Sequence, residues 1–172
     1  CVLMPTNPQY TITPPGTIEV KQLPAAKVLE AADDRHSYFN GRRQGGSPFM
    51  TLFHYIDQRK IPMTTPVEVQ VDENRMWFFA PPGWSDVRAD ENSAVALKHI
   101  PTRTVVSIGL QGSYTQDQYD QGLRELAVWL RAHPEWQVTG AARAVDWHGP
   151  SMPGLFKQME VHLPVANTRE GG

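Results

Sequence analysis

The chain nearly repeats itself, and that property narrows the folds open to it. Ile18, Val20, Lys21, Leu23, Pro24, Val28 and Leu29 have counterparts a constant 77 residues later, in Val95, Leu97, Lys98, Ile100, Pro101, Val105 and Val106. The same offset carries Phe49, Leu52 and Phe53 onto Leu126, Trp129 and Leu130. Further along the offset drifts, yet MWFFAP from Met76 to Pro81 still answers MEVHLP from Met159 to Pro164. Both halves read as strand, helix, strand, strand. A duplicated unit of this kind packs its copies around a pseudo-two-fold axis, and the concave seam between them suits a ligand. Two copies are too few for a solenoid, so the reading is one closed α+β domain.

A chain of 172 residues is long enough for a real core. With 40% hydrophobic and 20% charged residues it is globular in composition rather than disordered. Net charge is −2 with both signs interspersed and no basic run, which argues against a nucleic-acid surface. No apolar run approaches the roughly 20 residues needed to cross a bilayer. The single cysteine is Cys1, so packing rather than an internal disulfide must hold the fold. Two readings of Cys1 stand. One is an arbitrary chain boundary. The other is a mature bacterial lipoprotein, with lipid on Cys1 and a tether, VLMPTNPQYTITPPG, behind it. The second would place the protein at the cell envelope or periplasm, the first in the cytoplasm.

Along the chain, Thr17 to Ala31 alternates as a strand around Pro24, an edge position or bend. Asp33 to Gly46 is polar and Gly-rich and reads as a loop. Ser47-Pro48 is a helix start, Ser as N-cap and Pro at the first helical position. Phe49, Leu52, Phe53 and Ile56 then share a face. Val67–Val71 and Met76–Ala80 read as a hairpin turning at Asp72-Glu73-Asn74. In the second half, Val95 to Gly109 is strand, and Thr115 with Gln118 suggests a capping box. Tyr119, Leu123, Leu126 and Leu130 form an apolar stripe that ends at His133-Pro134. Val138–Trp147 and Lys157–Val165 are the closing strands.

Several segments, taken in order, resemble one family. RKIPMTTPVEV (Arg59 to Val69) is similar to the signature that follows the first helix in SOUL haem-binding proteins. IEVKQLPAAKV (Ile18 to Val28) resembles that family's opening strand, LFHYI (Leu52 to Ile56) its helix end, and PGLFKQMEVHLPV (Pro153 to Val165) its closing strand. The resemblance implies a distorted antiparallel β-barrel flanked by two helices and built from a duplicated unit. It divides the chain into a flexible tether at 1–16, a haem-binding domain at 17–166 and a disordered tail at 167–172.

The resemblance also implies non-covalent binding of haem or another tetrapyrrole in an apolar groove beside the first helix, by a non-catalytic carrier, buffer or sensor. Phe49, Met50 and Phe53 would face the ring, with Phe78 on the hairpin behind them. A large flat ligand of this kind needs aromatic and Met side chains, and cations for its carboxylates; Arg42 and Arg43 would serve the latter. Phe49 and Phe53 at helical spacing also fit plain core. Some family members place a histidine, proposed as iron ligand, where this chain has Gln22; its repeat-mate is His99.

No two of the six histidines form a close metal-binding pair. His54, off the apolar stripe beside the groove, is the first candidate for an iron ligand, ahead of His36 and His148; a solvated helix histidine is the alternative. Glu160 supports a second functional reading. Gyrase-inhibitor-like domains share this duplicated fold, and some use a cavity glutamate to bind amphipathic or cationic molecules; a few relatives are hydrolases. In an apolar cavity the Glu160 carboxyl would have a raised pKa; the alternative is a structural role bonding interior donors.

Overall fold

Among the described residues, nine antiparallel strands form a sheet that curls strongly into a half-barrel. The computed structural model describes residues 10–33, 38–39, 48–81, 94–112, 115–148 and 156–169. The first half gives β1 (Ile18–Leu23), β2 (Ala26–Ala32), α1 (Pro48–Gln58), β3 (Val67–Gln70) and β4 (Arg75–Phe79). The second gives β5 (Ala96–Ile100), β6 (Arg103–Gln111), α2 (Gln116–Ala132), β7 (Trp136–Val138), β8 (Arg143–Asp146) and β9 (Gln158–Asn167).

The strand order is β1-β6-β9-β8-β3-β4-β2-β5, with β7 paired to β9. Written in terms of the two halves, this order is the same from either end. The pseudo-two-fold axis therefore passes between β3 and β8, and the first strand of each half crosses over to pair with the other half. The helices obey the same symmetry: α1 rests on β2 and β4, α2 on their mates β6 and β9.

Pro24 and Pro101 each break a long strand into two, because proline lacks the donor a ladder needs. Side chains then alternate across the sheet. Leu29, Ala31, Met76, Phe78, Val106, Ile108, Met159 and Val161 point outward and join Leu52, Tyr55, Ile56, Tyr119 and Leu126 of the helices in the main core. Val28, Trp77, Phe79, Val105 and Val145 point inward and form a second cluster with Tyr10 and Trp147. Gly122 lets α2 approach the sheet: a β-carbon there would lie 3.0 Å from Leu110 and Val161 side-chain atoms. Past the end of α1, Lys60 takes the left-handed conformation (φ 54°) and the Ile61 N–H donates to the Ile56 carbonyl at 2.9 Å.

Three sequence expectations need correction. Residues 10–16, expected as part of a flexible tether, lie against the inner face, with Tyr10 and Thr13 buried. The stretch Val138–Trp147 is not one strand; β7 and β8 are separated where the chain leaves β9 and returns to it. Thr115 caps α2 by accepting from the Gln118 N–H at 3.2 Å, but the Gln118 side chain donates to the Gln111 carbonyl at 2.8 Å, so the reciprocal half of a capping box is not made. Ser47, the expected N-cap of α1, lies outside the described residues.

Candidate functional site

α1 buries Pro48, Leu52, Tyr55 and Ile56. The helical period then turns Met50, Phe53 and His54 to the opposite side, where all three are exposed. Met50 is 38% and Phe53 37% accessible, which is high for large apolar side chains. Phe49 sits between the two sides. Its ring stacks on Phe53 with centroids 6.1 Å apart, and meets Phe78 edge-on at 5.5 Å. Phe78 is only 2% exposed and lies in the core behind Phe49. His54 stands edge-on to Phe53 at 6.4 Å. An apolar wall of Phe49, Met50 and Phe53 thus borders one imidazole.

The other histidines are elsewhere. His99 lies exposed on the outermost strand β5 and pairs with Lys27, and Gln22 is exposed on β1. His148 is 3.2 Å from the Gln158 side-chain oxygen. Arg42, Arg43, His36 and Cys1 lie outside the described residues. Among the described residues, no group of three or more His, Cys, Asp or Glu side chains could hold a metal ion.

Glu160 occupies the inner face, completely buried on β9. Its Oε1 accepts from Lys21 Nζ at 2.5 Å, Ser107 Oγ at 2.8 Å and Thr13 Oγ1 at 3.1 Å, and lies 2.9 Å from His162 Nε2. The Trp147 indole donates to Oε2. Burial pushes the Glu160 carboxyl up, but the hydrogen bond and charge of His162 and the charge of Lys21 outweigh it and hold the pKa well below the carboxylate range. The expected upward shift for this residue is therefore reversed, because the surroundings are polar rather than apolar.

A second buried carboxylate, Glu68 on β3, takes two bonds from Arg103, at 2.7 and 3.2 Å, and one from Arg143 Nε. Burial opposes its ionisation; Arg143 and Arg103 override burial and bring its pKa to about 2. Both guanidinium groups lie over the Trp77 ring, Arg143 at 3.8 Å and Arg103 at 5.3 Å. Glu30 completes the set, bonded by the Trp77 indole and Arg75 at 2.7 Å each and paired with Lys98 at 2.8 Å. Sequence reasoning singled out Glu160 alone. Its partners come from positions 13, 21, 107, 147 and 162, a set that no local spacing reveals.

A family model described as SOUL heme-binding protein matches residues 6–164. No curated protein matches the chain. Among solved structures, the EcmrR C-terminal domain is 16% identical with TM-score 0.61, covering 88% of this chain and 98% of that one. EcmrR bound to DNA is 15% identical with TM-score 0.61, covering 88% of this chain. Against that longer protein the present chain spans 57% of the length. A structure described as a hydrolase from Listeria innocua is 13% identical with TM-score 0.59, covering 90% of this chain and 94% of that one. At these identities the structural likeness concerns the fold alone.

Proposed function

The chain belongs to the SOUL haem-binding family, and from that premise we propose that it binds haem or a related tetrapyrrole non-covalently against the exposed side of α1, as a carrier, buffer or sensor rather than an enzyme. The observation that carries this reading is the pairing of Met50 and Phe53, large apolar side chains left more than a third exposed on one helix face, with His54 beside them. Singly exposed apolar residues are ordinary, whereas an adjacent pair backed by a stacked aromatic offers a flat ring an apolar seat, which supports this reading. The residues fit the group: Phe49, Met50 and Phe53 would lie against the ring, and the His54 imidazole has the chemistry of an axial ligand. Phe78 supports Phe49 from below. Arg42 belongs to this reading as partner for a ring carboxylate. When bound, the group would supply an iron centre open to redox change and small ligands; the chain's part is to hold it and shield one face.

The reading of Glu160 as partner for a cationic or amphipathic molecule has less support, because Lys21 already neutralises that carboxylate. A hemin titration of the Met50→Ser and Phe53→Ser variants tests the groove. Weaker saturation in both, with unchanged melting, is the expected outcome; affinities equal to the parent's would overturn the placement.

A further inference from the structure

The inner face of the sheet, on the opposite side from α1, gathers two buried polar atoms that have no hydrogen-bond partner, Arg143 Nη2 and His162 Nδ1, beside Tyr10 and Arg103, whose side chains bond each other. All four residues surround Glu68. Arg103 and Arg143 bond it directly. The charge of His162 reaches it, and Tyr10 feels both Glu68 and Arg103. His162 also faces Arg143 across the β8–β9 ladder.

Buried polar groups are nearly always paired, so a cluster of orphans at one place calls for an occupant. The guanidinium N–H group is a donor, and the imidazole nitrogen is one when doubly protonated. The occupant must therefore offer acceptor oxygens. It must also be anionic, because two guanidinium groups share a single carboxylate and, among the described residues, leave one positive charge unmatched.

Tyr10 marks the occupant's shape. Its ring packs 4.7 Å from that of Phe79, in a cluster with Val28, Ile100 and Val105, and its hydroxyl lies beside Arg103. A phenol in this place supplies the aromatic body but not the charge. Burial, opposed by Arg103, raises the Tyr10 pKa to about 12, so the hydroxyl stays neutral.

The segment bearing Tyr10 is a strap laid over this cluster. Thr13 Oγ1 sits 2.8 Å from Ser107 Oγ, Lys21 Nζ donates to the Thr11 carbonyl at 2.9 Å, and Gly16 N–H donates to the Gly109 carbonyl at 2.8 Å. The seat depends on Gly109: a β-carbon there would lie 2.3 Å from the carbonyl oxygens of both Thr13 and Pro14. We propose that the inner face is a second ligand site, for an aromatic monocarboxylate, and that the strap of residues 10–17 closes it with Tyr10 in the ligand's place.

The test is titration of the whole chain with phenylacetate, read by the indole N–H signals of Trp77 and Trp147 in nitrogen–proton correlation spectra. Benzyltrimethylammonium, with the same ring and the opposite charge, is the control. Gly109→Ala unseats the strap and Tyr10→Ala removes the competitor. Each should bind phenylacetate about tenfold or more tightly than the parent, since affinity scales with the open fraction, and Arg103→Met in the Gly109→Ala background should abolish the gain. No saturable shift in either opened variant, or an equal response to the cation, would overturn the proposal. Two independent opening variants keep the test decisive if one fails to fold.

Discussion

Lys21 of β1 meets Glu160 of β9 at 2.5 Å in the interior of the curved sheet. Each belongs to a different half of the duplicated chain. Lys98, the repeat-mate of Lys21, makes the reciprocal crossing to Glu30 of β2 at 2.8 Å. The first strand of each half thus carries a lysine that is neutralised by the other half, and the halves are joined by charge as well as by strand pairing.

Breaking the Lys21–Glu160 pair on one side should cost more than removing both charges. Lys21→Met leaves Glu160 ionised and buried, and a loss of about 3 kcal/mol is expected. The Lys21→Met, Glu160→Gln double variant should lose less than the sum of the singles, because the two residues share one network. Urea unfolding of the four proteins measures the coupling; strict additivity would contradict it.

The same buried carboxylates set the acid limit of the fold. Glu68 titrates at about 2 in the folded protein against an ordinary 4.5, and Glu160 is held lower still. Below the ordinary value the unfolded chain takes up protons that the folded chain refuses. The stability these two groups contribute is therefore complete above about pH 4.5 and is lost as pH drops toward 2. Urea midpoints between pH 4.5 and 3 should decline on that limb, and Glu68→Gln should flatten it while lowering the midpoint at pH 7.

Asp146 works in the other direction. Burial raises its pKa to about 7, against the opposing effects of the Tyr38 hydroxyl and Lys157. Between its ordinary value of 3.8 and about 7, the folded chain holds a proton that the unfolded chain has released. Stability thus falls with rising pH across that window and levels off above it. Asp146→Asn should remove the fall, gaining up to roughly 4 kcal/mol at pH 8 and little at pH 4. An equal effect at both pH values would contradict the assignment.

Phe53 and Phe78 should separate binding from folding. Phe53 is more than a third exposed, so Phe53→Ala should shift stability by under about 1 kcal/mol. Phe78 lies in the core beneath Phe49, and Phe78→Ala should cost about 3–4 kcal/mol. Thermal melts beside hemin titrations check both: the first variant should lose affinity with little change in melting, the second should lose stability.

Much of the fold was legible because its signals are local or repeated. The 77-residue offset predicts the two-fold arrangement of the sheet, and Pro24 marks the bend that separates β1 from β2; Val95 to Gly109, expected as one strand, is likewise divided at Pro101 into β5 and β6. MWFFAP was legible as a strand, but its wholly apolar run did not tell that Trp77 and Phe79 face inward and Phe78 outward. The buried face of α1 was legible in Leu52 and Ile56, but Phe53, expected on that same face, is exposed, and Tyr55 is buried in its stead. The inner network was not legible, because Glu160 and Glu68 acquire their partners only when strands distant in sequence become neighbours. Nor did the composition of residues 10–16 reveal a strap; only the missing β-carbon of Gly109 shows why that segment can lie so close.

The most direct test of the haem-binding account is a Soret titration of the purified protein with hemin, run beside His54→Ala. Saturation near one equivalent, with a changed spectrum in the variant, is the result the account expects, with His54 as iron ligand. Saturation with an unchanged variant spectrum would keep the groove and remove His54 from the iron. The absence of any saturable Soret change at micromolar protein would contradict the central claim.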